Sequence, residues 1–316
     1  MSRICAELHC HTLHSDAQFA PDDLAQAARD EALDLIALTD HNTLSGYAQM
    51  ERTRFPFIRG IEWTTFYGHM LALGTQGFVD WRDAAPDNID AKIDQVKAQG
   101  GLVGIAHPFA PGSPMCTGCY WDFRVQDWNR VDYIEVWNED LPPLAAHNRR
   151  AVALWRGLLD SGYRIAPTYG RDWHRQAFSP LPRGCTYLEA ESATEAEGLK
   201  ALGAGRTLLS LGPDVTWSLM GDAGVFQAGD TAPEGAYQCI FRVNDETRRR
   251  QWERFGIQAS EAVLLGRGDR LLARTDAKAG CMEVSVRDTP YARLEIHGQA
   301  CQKACTIALS APIYTG

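Results

Sequence analysis

The chain holds nine histidines, and all but His297 fall within its first 174 residues. Most stand beside a carboxylate. His9 and His11 precede Asp16, Asp40 adjoins His41, Glu62 comes before His69, and Asp172 lies two residues before His174. His107 follows the apolar run Leu102-Val-Gly-Ile-Ala and precedes Pro108. Imidazoles and carboxylates together are the donors that hold divalent transition metals, and a mixed set suits Zn, Mn or Fe without choosing among them. On a strand, alternate side chains share a face, so His9 and His11 can reach one cation. Taken singly, each has a plainer reading: an H-x-H pair occurs in ordinary strands, and His41 also fits a local hydrogen-bonding role beside a helix start. Six imidazoles and the three acids Asp16, Glu62 and Asp172 gathered at one rim would be costly without cations between them. No G-x-S-x-G or comparable nucleophile signature is present, and metal hydrolysis needs none.

The elements that must position these residues alternate in type. Arg3–His11, Leu35–Thr39, Phe57–Glu62, His69–Leu73, Leu102–Ala106, Tyr133–Trp137 and Arg164–Thr168 read as strands. Helices are expected over Pro21–Glu31, opened by Pro21, Asp22 and Asp23, near Leu44–Arg52, over Ile89–Gln99, near Leu144–Leu159, and from the box Thr194-Glu-Ala-Glu197 to Gly203. Such repetition argues for a parallel α/β barrel or a doubly wound sheet, and in a barrel the loops after the strands share the rim that carries the active site. From Pro213 onward β-rich runs dominate: Tyr237–Val243, Ala262–Leu265, Met282–Val286, Leu294–His297 and Thr306–Leu309, with one further helix near Thr247–Phe255. This places a domain boundary near Leu211-Gly212-Pro213, with residues 1–212 as the hydrolase unit and 213–316 as a smaller all-β, sandwich-like domain.

Composition bounds the partners. The formal net charge is −9 over 316 residues, which disfavours duplex nucleic acid and anionic membrane and leaves a small-molecule substrate. Met1–His9 lacks the apolar core of a secretory signal, and no run nears the roughly 18 apolar residues a membrane helix needs. Nine cysteines, an odd number without framework spacing, point to reduced thiols and a cytoplasmic protein.

His9-Cys-His11, Ser15-Asp16, Thr39-Asp40-His41, Gly60-Ile-Glu62, His69, Ala106-His107-Pro108 and Asp172-Trp-His174 resemble, in order, the motif series of the PHP family, the polymerase and histidinol phosphatase domain. Ala204-Gly-Arg-Thr207 and Leu211-Gly-Pro-Asp214 extend the likeness, and a trailing β-rich domain is similar to the branch that includes carbaryl hydrolase-like proteins. The resemblance implies a distorted (β/α)7 TIM-like barrel with two or three divalent transition metals. It implies that His9, His11, Glu62 and Asp172 hold a first metal and that Glu62 bridges to a second held by His69 and His107. Asp16, His41 and His174 would hold a third, with Asp40 behind them orienting an imidazole. Glu62, Asp172, His174 and Arg171 are the candidate catalytic groups.

The implied activity is a phosphoesterase acting on a small phosphorylated metabolite or nucleotide. The alternative is a hydrolase of a non-phosphate ester, amide or carbamate, and a minor alternative is a non-catalytic metal-binding module. Arg171 stands where relatives usually carry a small residue, so it could clamp a phosphate or carboxylate, or equally face outward in a salt bridge. Asn138, ending the run Glu135-Val-Trp-Asn138, is a candidate to face substrate. His14 fits the ligand pattern less well than Asp16. Cys116-x-x-Cys119 is a poor zinc signal without a second pair, and its loop, Pro108 to Tyr120, is a candidate lid. Trp63, Trp137 and Trp173 suit core packing better than a pocket, and His147, Arg149, Arg150 and Arg248–Arg250 suit solvated faces.

Overall fold

The computed structural model describes residues 2–112 and 118–316, so Cys116 and the middle of the expected lid lie outside the described residues. The first part of the chain runs β1 (Ser2–Cys10), α1 (Pro21–Asp30), β2 (Leu35–Leu38), α2 (Tyr47–Arg52), β3 (Phe57–Thr65), β4 (Gly68–Leu73), α3 (Ile89–Ala98), β5 (Leu102–Ile105), β6 (Tyr133–Asn138), α4 (Ala146–Asp160), β7 (Ala166–Gly170), β8 (Cys185–Ala190), α5 (Glu195–Gly203) and β9 (Thr207–Ser210). α1 shows why these segments fold as they do. Pro21 at its first position needs no hydrogen-bonded N–H, Asp22 and Asp23 complement the helix dipole, and Leu24, Ala25, Ala27 and Ala28 form its buried stripe. In α5, Thr194 caps by accepting from the Glu197 N–H, but the Glu197 carboxylate turns to the Glu191 N–H, so the expected box is half-formed.

Strand order in the large sheet is β9-β8-β1-β2-β3-β4-β5-β6-β7, a mixed α/β arrangement. β1–β2, β2–β3, β5–β6 and β6–β7 are parallel, whereas β4 pairs antiparallel with both neighbours and β8 antiparallel with β1. Among the described residues no continuous ladder closes β7 onto β1. The two ends meet through a single bridge, Cys10 to Trp173, with His11 N donating to Trp173 O and Trp173 N to His9 O, each at 3.0 Å.

The remainder is β10 (Asp214–Gly221), β11 (Gly224–Phe226), β12 (Thr231–Ala232), β13 (Ala236–Asn244), α6 (Arg249–Trp252), β14 (Gln258–Leu265), β15 (Leu271–Asp276), β16 (Cys281–Ser285), β17 (Tyr291–Ala300), β18 (Lys303–Ser310) and β19 (Ile313–Thr315). Here β11-β10-β13-β16 form a separate four-stranded sheet, while β18 pairs with β9 and carries the large sheet across position 213. Among the described residues no helix is long and apolar enough to cross a membrane. Cys119 is disulfide-bonded, against the expectation of reduced thiols, while Cys5, Cys10, Cys185, Cys239, Cys281, Cys301 and Cys305 are free.

One irregularity in β1 matters for the site. Ile4, Ala6 and Leu8 share an apolar cluster with Leu35, Ala37, Tyr133 and Ala166. Register then shifts, with Glu7 opposite Ile36 but Cys10 opposite Leu38, so three steps on β1 match two on β2. That bulge moves the face continued by Ala6 and Leu8 onto His9 and His11. The Glu7 carboxylate braces it, accepting from His9 N at 3.3 Å and Arg171 N at 2.7 Å.

Candidate metal centre

Every expected ligand arrives at the same end of the sheet. His9 and His11 come from the end of β1, His41 from just past β2, Glu62 from β3, His69 from β4, His107 from just past β5, and Asp172 and His174 from past β7. Three groups form: His9, His11, Glu62 and Asp172; Glu62, His69 and His107; and His11, Asp16, His41 and His174, with ligand atoms in each within 4.8 Å of one another. The sets expected from sequence are the ones the fold assembles, except that His11 also reaches the third.

Spacing and burial test whether these groups suit cations. In the first group His9 Nε2 lies 3.2 Å from Glu62 Oε2 and 3.3 Å from Asp172 Oδ1, and His11 Nε2 lies 3.4 Å and 2.9 Å from the same atoms. Glu62 Oε1 faces His69 Nδ1 at 2.9 Å and His107 Nε2 at 3.3 Å. His174 Nε2 and His41 Nε2 approach Asp16 Oδ1 at 3.0 and 3.4 Å. Ligands about 2.1 Å from a tetrahedral ion stand about 3.4 Å apart, so these spacings fit metal coordination. In the first group His9 Nε2, His11 Nε2, Glu62 Oε2 and Asp172 Oδ1 are buried without a hydrogen-bond partner. Buried polar atoms are normally satisfied, and so many orphans facing one another are what a set of cation ligands leaves when its ions are not counted. His107 and Asp172 also hold positive φ, 26° and 53°, a strained backbone that such sites tend to store.

Electrostatics agree. Burial alone would lower the pKa of His9, but Glu135, Glu62 and Asp172 outweigh it and raise it well above the ordinary range. Burial dominates at His11, pulling it down to about 4. Glu62 resists burial and is held well below the usual carboxylate range by His9, His107, His41 and His69. The third group opens to solvent, with the Asp16 side chain 61% exposed.

Four expectations need correction. Arg171 does not face the rim. Its guanidinium is buried against Glu7 Oε2 at 3.6 Å and Glu31 Oε1 at 3.8 Å, over the Trp173 ring at 4.2 Å. Its neighbour Asp172 points inward, and the left-handed backbone at Asp172 turns the chain just past β7. Asn138 is buried and spends its side-chain donor on Gly170 O at 2.8 Å, while its backbone N–H bonds Asn148. Asp40 orients no imidazole; it accepts from Thr12 N, Thr12 Oγ1 and Ser15 Oγ, bracing the turn that leads to Asp16. Arg248 is not solvated either, since its guanidinium donates to Glu31 O and to Cys185 Sγ. His14 bonds Ser45 outside the three groups, and Trp63, Trp137 and Trp173 are core residues.

Two partners of the imidazoles were not foreseen. Glu135 Oε1 meets His9 Nδ1 at 2.8 Å while Oε2 accepts from His107 N at 3.0 Å, and Thr64 Oγ1 meets His41 Nδ1. The signal for Glu135 was a lone carboxylate inside an otherwise fully buried strand, in phase with Tyr133.

Comparison with known proteins follows the same residues. A model of the PHP domain matches residues 7–89, the stretch from Glu7 through His69 and into α3. An uncharacterized protein of Methanocaldococcus jannaschii is 27% identical over 148 residues, spanning 42% of this chain and 81% of its own. A crystal structure from Bacteroides vulgatus, of a two-domain protein containing a predicted PHP-like metal-dependent phosphoesterase, superposes over 99% of this chain and 95% of that one, with TM-score 0.54 and 16% identity. The domain model thus falls on the segment that supplies His9, His11, Asp16, His41, Glu62 and His69, and over residues 7–89 the chain is similar to the PHP domain.

Proposed function

We propose that the protein is a metal-dependent phosphoesterase that hydrolyses a small phosphorylated metabolite or nucleotide. The observation that carries this reading is Glu62, whose two oxygens serve different ligand groups, Oε2 toward His9 and His11 and Oε1 toward His69 and His107. A carboxylate shared in this way would let both groups hold an ion. Two or three divalent transition metals, Zn, Mn or Fe, held by these groups would polarise a scissile bond, acidify water and neutralise charge on the leaving oxygen.

The chain's own residues set the conditions. Glu135 holds His9 through Nδ1, which keeps Nε2 turned into the first group. Asp172 and His174 are partly exposed beside Asp16, so substrate approaches from the third group. Leu13, 62% exposed, sits on the segment that carries Asp16 and offers apolar contact to the organic part of a substrate. In this reading residues 1–174 supply every ligand of the barrel-like hydrolase unit, 1–212, and 213–316 is a β-sandwich-like companion.

The test is one metal condition and three substrates: a phosphate monoester, a nucleotide and an aryl carbamate. Phosphate release, with two or three equivalents of metal by elemental analysis, is the expected result. Carbamate turnover without phosphate release overturns the substrate class. Absence of bound metal after supplementation overturns the hydrolase reading altogether.

A further inference from the structure

A second polar recess lies away from the ligand groups, where the segments around Ser179–Gly184 and Arg248–Phe255 cover the ends of β1, β7 and β8. Arg171, Arg183, Arg248 and Arg254 line it, with Glu31 as the one carboxylate among the lining residues. Arg171 and Arg183 both pair with Glu31, and each also has a second carboxylate beside it, Glu7 and Asp140. Arg171 is only 6% exposed, yet its Nε and Nη1 have no hydrogen-bond partner. Glu31 Oε1 stands 3.8 Å from Nη1 of both Arg171 and Arg183, at ion-pair range but too far to bond either. A buried guanidinium with unmet donors carries a penalty that a correctly placed oxygen would remove.

We propose that this recess binds a small inorganic oxoanion, phosphate or sulfate, at a site separate from the metal centre. Its volume, about 30 Å³, is too small for a nucleotide and restricts the occupant to a small ion. The oxygens would take the donor Arg171 leaves unmet at Nη1, its Nε facing Glu7 Oε2 at 3.6 Å, and Nη1 of Arg183, whose Nε holds Asp140 at 3.0 Å and whose Nη2 donates to Ala177 O at 2.9 Å. Arg248 is already engaged with Glu31 O and Cys185 and contributes charge. Arg254 is exposed, stacked on Phe178 and Phe255, and adds an outer cation. Occupancy would reach the metal centre through the backbone, because Arg171 adjoins Asp172 and its N–H shares the Glu7 carboxylate with His9 N.

The experiment is calorimetric titration of the full-length protein, as purified and with its metal content measured, using inorganic phosphate and, separately, sulfate. Arg183→Gln should weaken binding about 10-fold or more, the effect of losing a charge-assisted hydrogen bond. Arg254→Gln should weaken it about 2- to 5-fold, as suits an exposed charge. Glu31→Gln should tighten it several-fold, because a competing carboxylate becomes neutral. Metal content should stay constant throughout. Absence of saturable binding by both anions, or binding equal in wild type and all three variants, overturns the proposal, the latter because anion held by the metal centre would ignore these residues. If Arg183→Gln does not fold by circular dichroism, Arg254→Gln and the opposite-signed Glu31→Gln still decide.

Discussion

Glu135→Gln separates a positioning carboxylate from a merely buried one. Glu135 is fully buried and makes two bonds, from Oε1 to His9 Nδ1 at 2.8 Å and from Oε2 to His107 N at 3.0 Å. The His107 amide can only donate, and His9 Nδ1 must donate if Nε2 is to offer a lone pair to the first ligand group. Glutamate meets both needs with two acceptors, whereas glutamine has one acceptor and one NH2. If its oxygen serves the amide, the NH2 faces His9 and drives the proton to Nε2, where it points at Glu62 and Asp172. If its oxygen serves His9, two N–H groups face each other at His107. Either way one charge-assisted bond is lost, about 1.5–3 kcal/mol, or about 10- to 150-fold in affinity. Groups behind metal-bound histidines typically contribute about 10- to 100-fold. The expected result is therefore metal binding weaker by about 10- to 100-fold at the group containing His9, measured by competition with a chromophoric chelator. Near-ultraviolet circular dichroism should show the fold retained. A dissociation constant within about twofold of wild type, with the fold intact, would refute the claim that Glu135 sets the His9 tautomer.

Glu62→Ala should lower metal stoichiometry at two groups together, since its oxygens face different histidines; elemental analysis showing loss of a single equivalent would refute the sharing. Gly170→Ala would set a Cβ 1.9 Å from Glu135 Oε1 and 2.9 Å from His9 Cβ, so it should cost about 1–3 kcal/mol of stability and weaken metal binding as Glu135→Gln does; unchanged chelator competition would count against it. Away from the centre, burial would raise Glu295, but His297, Arg293 and Arg156 hold it down to about 2 from its ordinary 4.5. A depressed carboxyl stabilises above its unfolded pKa and loses that contribution as pH falls, here from about 4.5 to about 2, worth about 3 kcal/mol. Urea denaturation should therefore show Glu295→Gln less stable at pH 7, with the gap closing toward pH 2, and a pH-independent gap would contradict the linkage.

The ligand series was legible because His9, His11, His41, His107, Asp172 and His174 sit at or just past strand ends, and such positions share one rim in α/β folds. What sequence could not show is how the chain aims them. Strict alternation along β1 would set His9 and His11 on the face of Cys5 and Glu7, opposite Ala6 and Leu8. The bulge between Glu7 and Cys10 reverses this, and no residue type marks it. β8 was missed because Cys185-Thr-Tyr-Leu-Glu-Ala190 mixes polar and apolar residues that the fold buries alike. Arg171 was misjudged from its adjacency to Asp172, because sequence does not mark the left-handed turn at Asp172 that separates their directions. Glu7 shows how these points join. Its Oε1 accepts from His9 N and from Arg171 N, so one carboxylate secures both the bulge that turns His9 inward and the end of β7 that presents Asp172. Burial pushes Glu7 up to about 7, with the buried Arg171 guanidinium opposing the rise and favouring the charged form of this brace. Arg171 thus acts on the metal centre without facing it, through the residue that shapes the strand end beneath it.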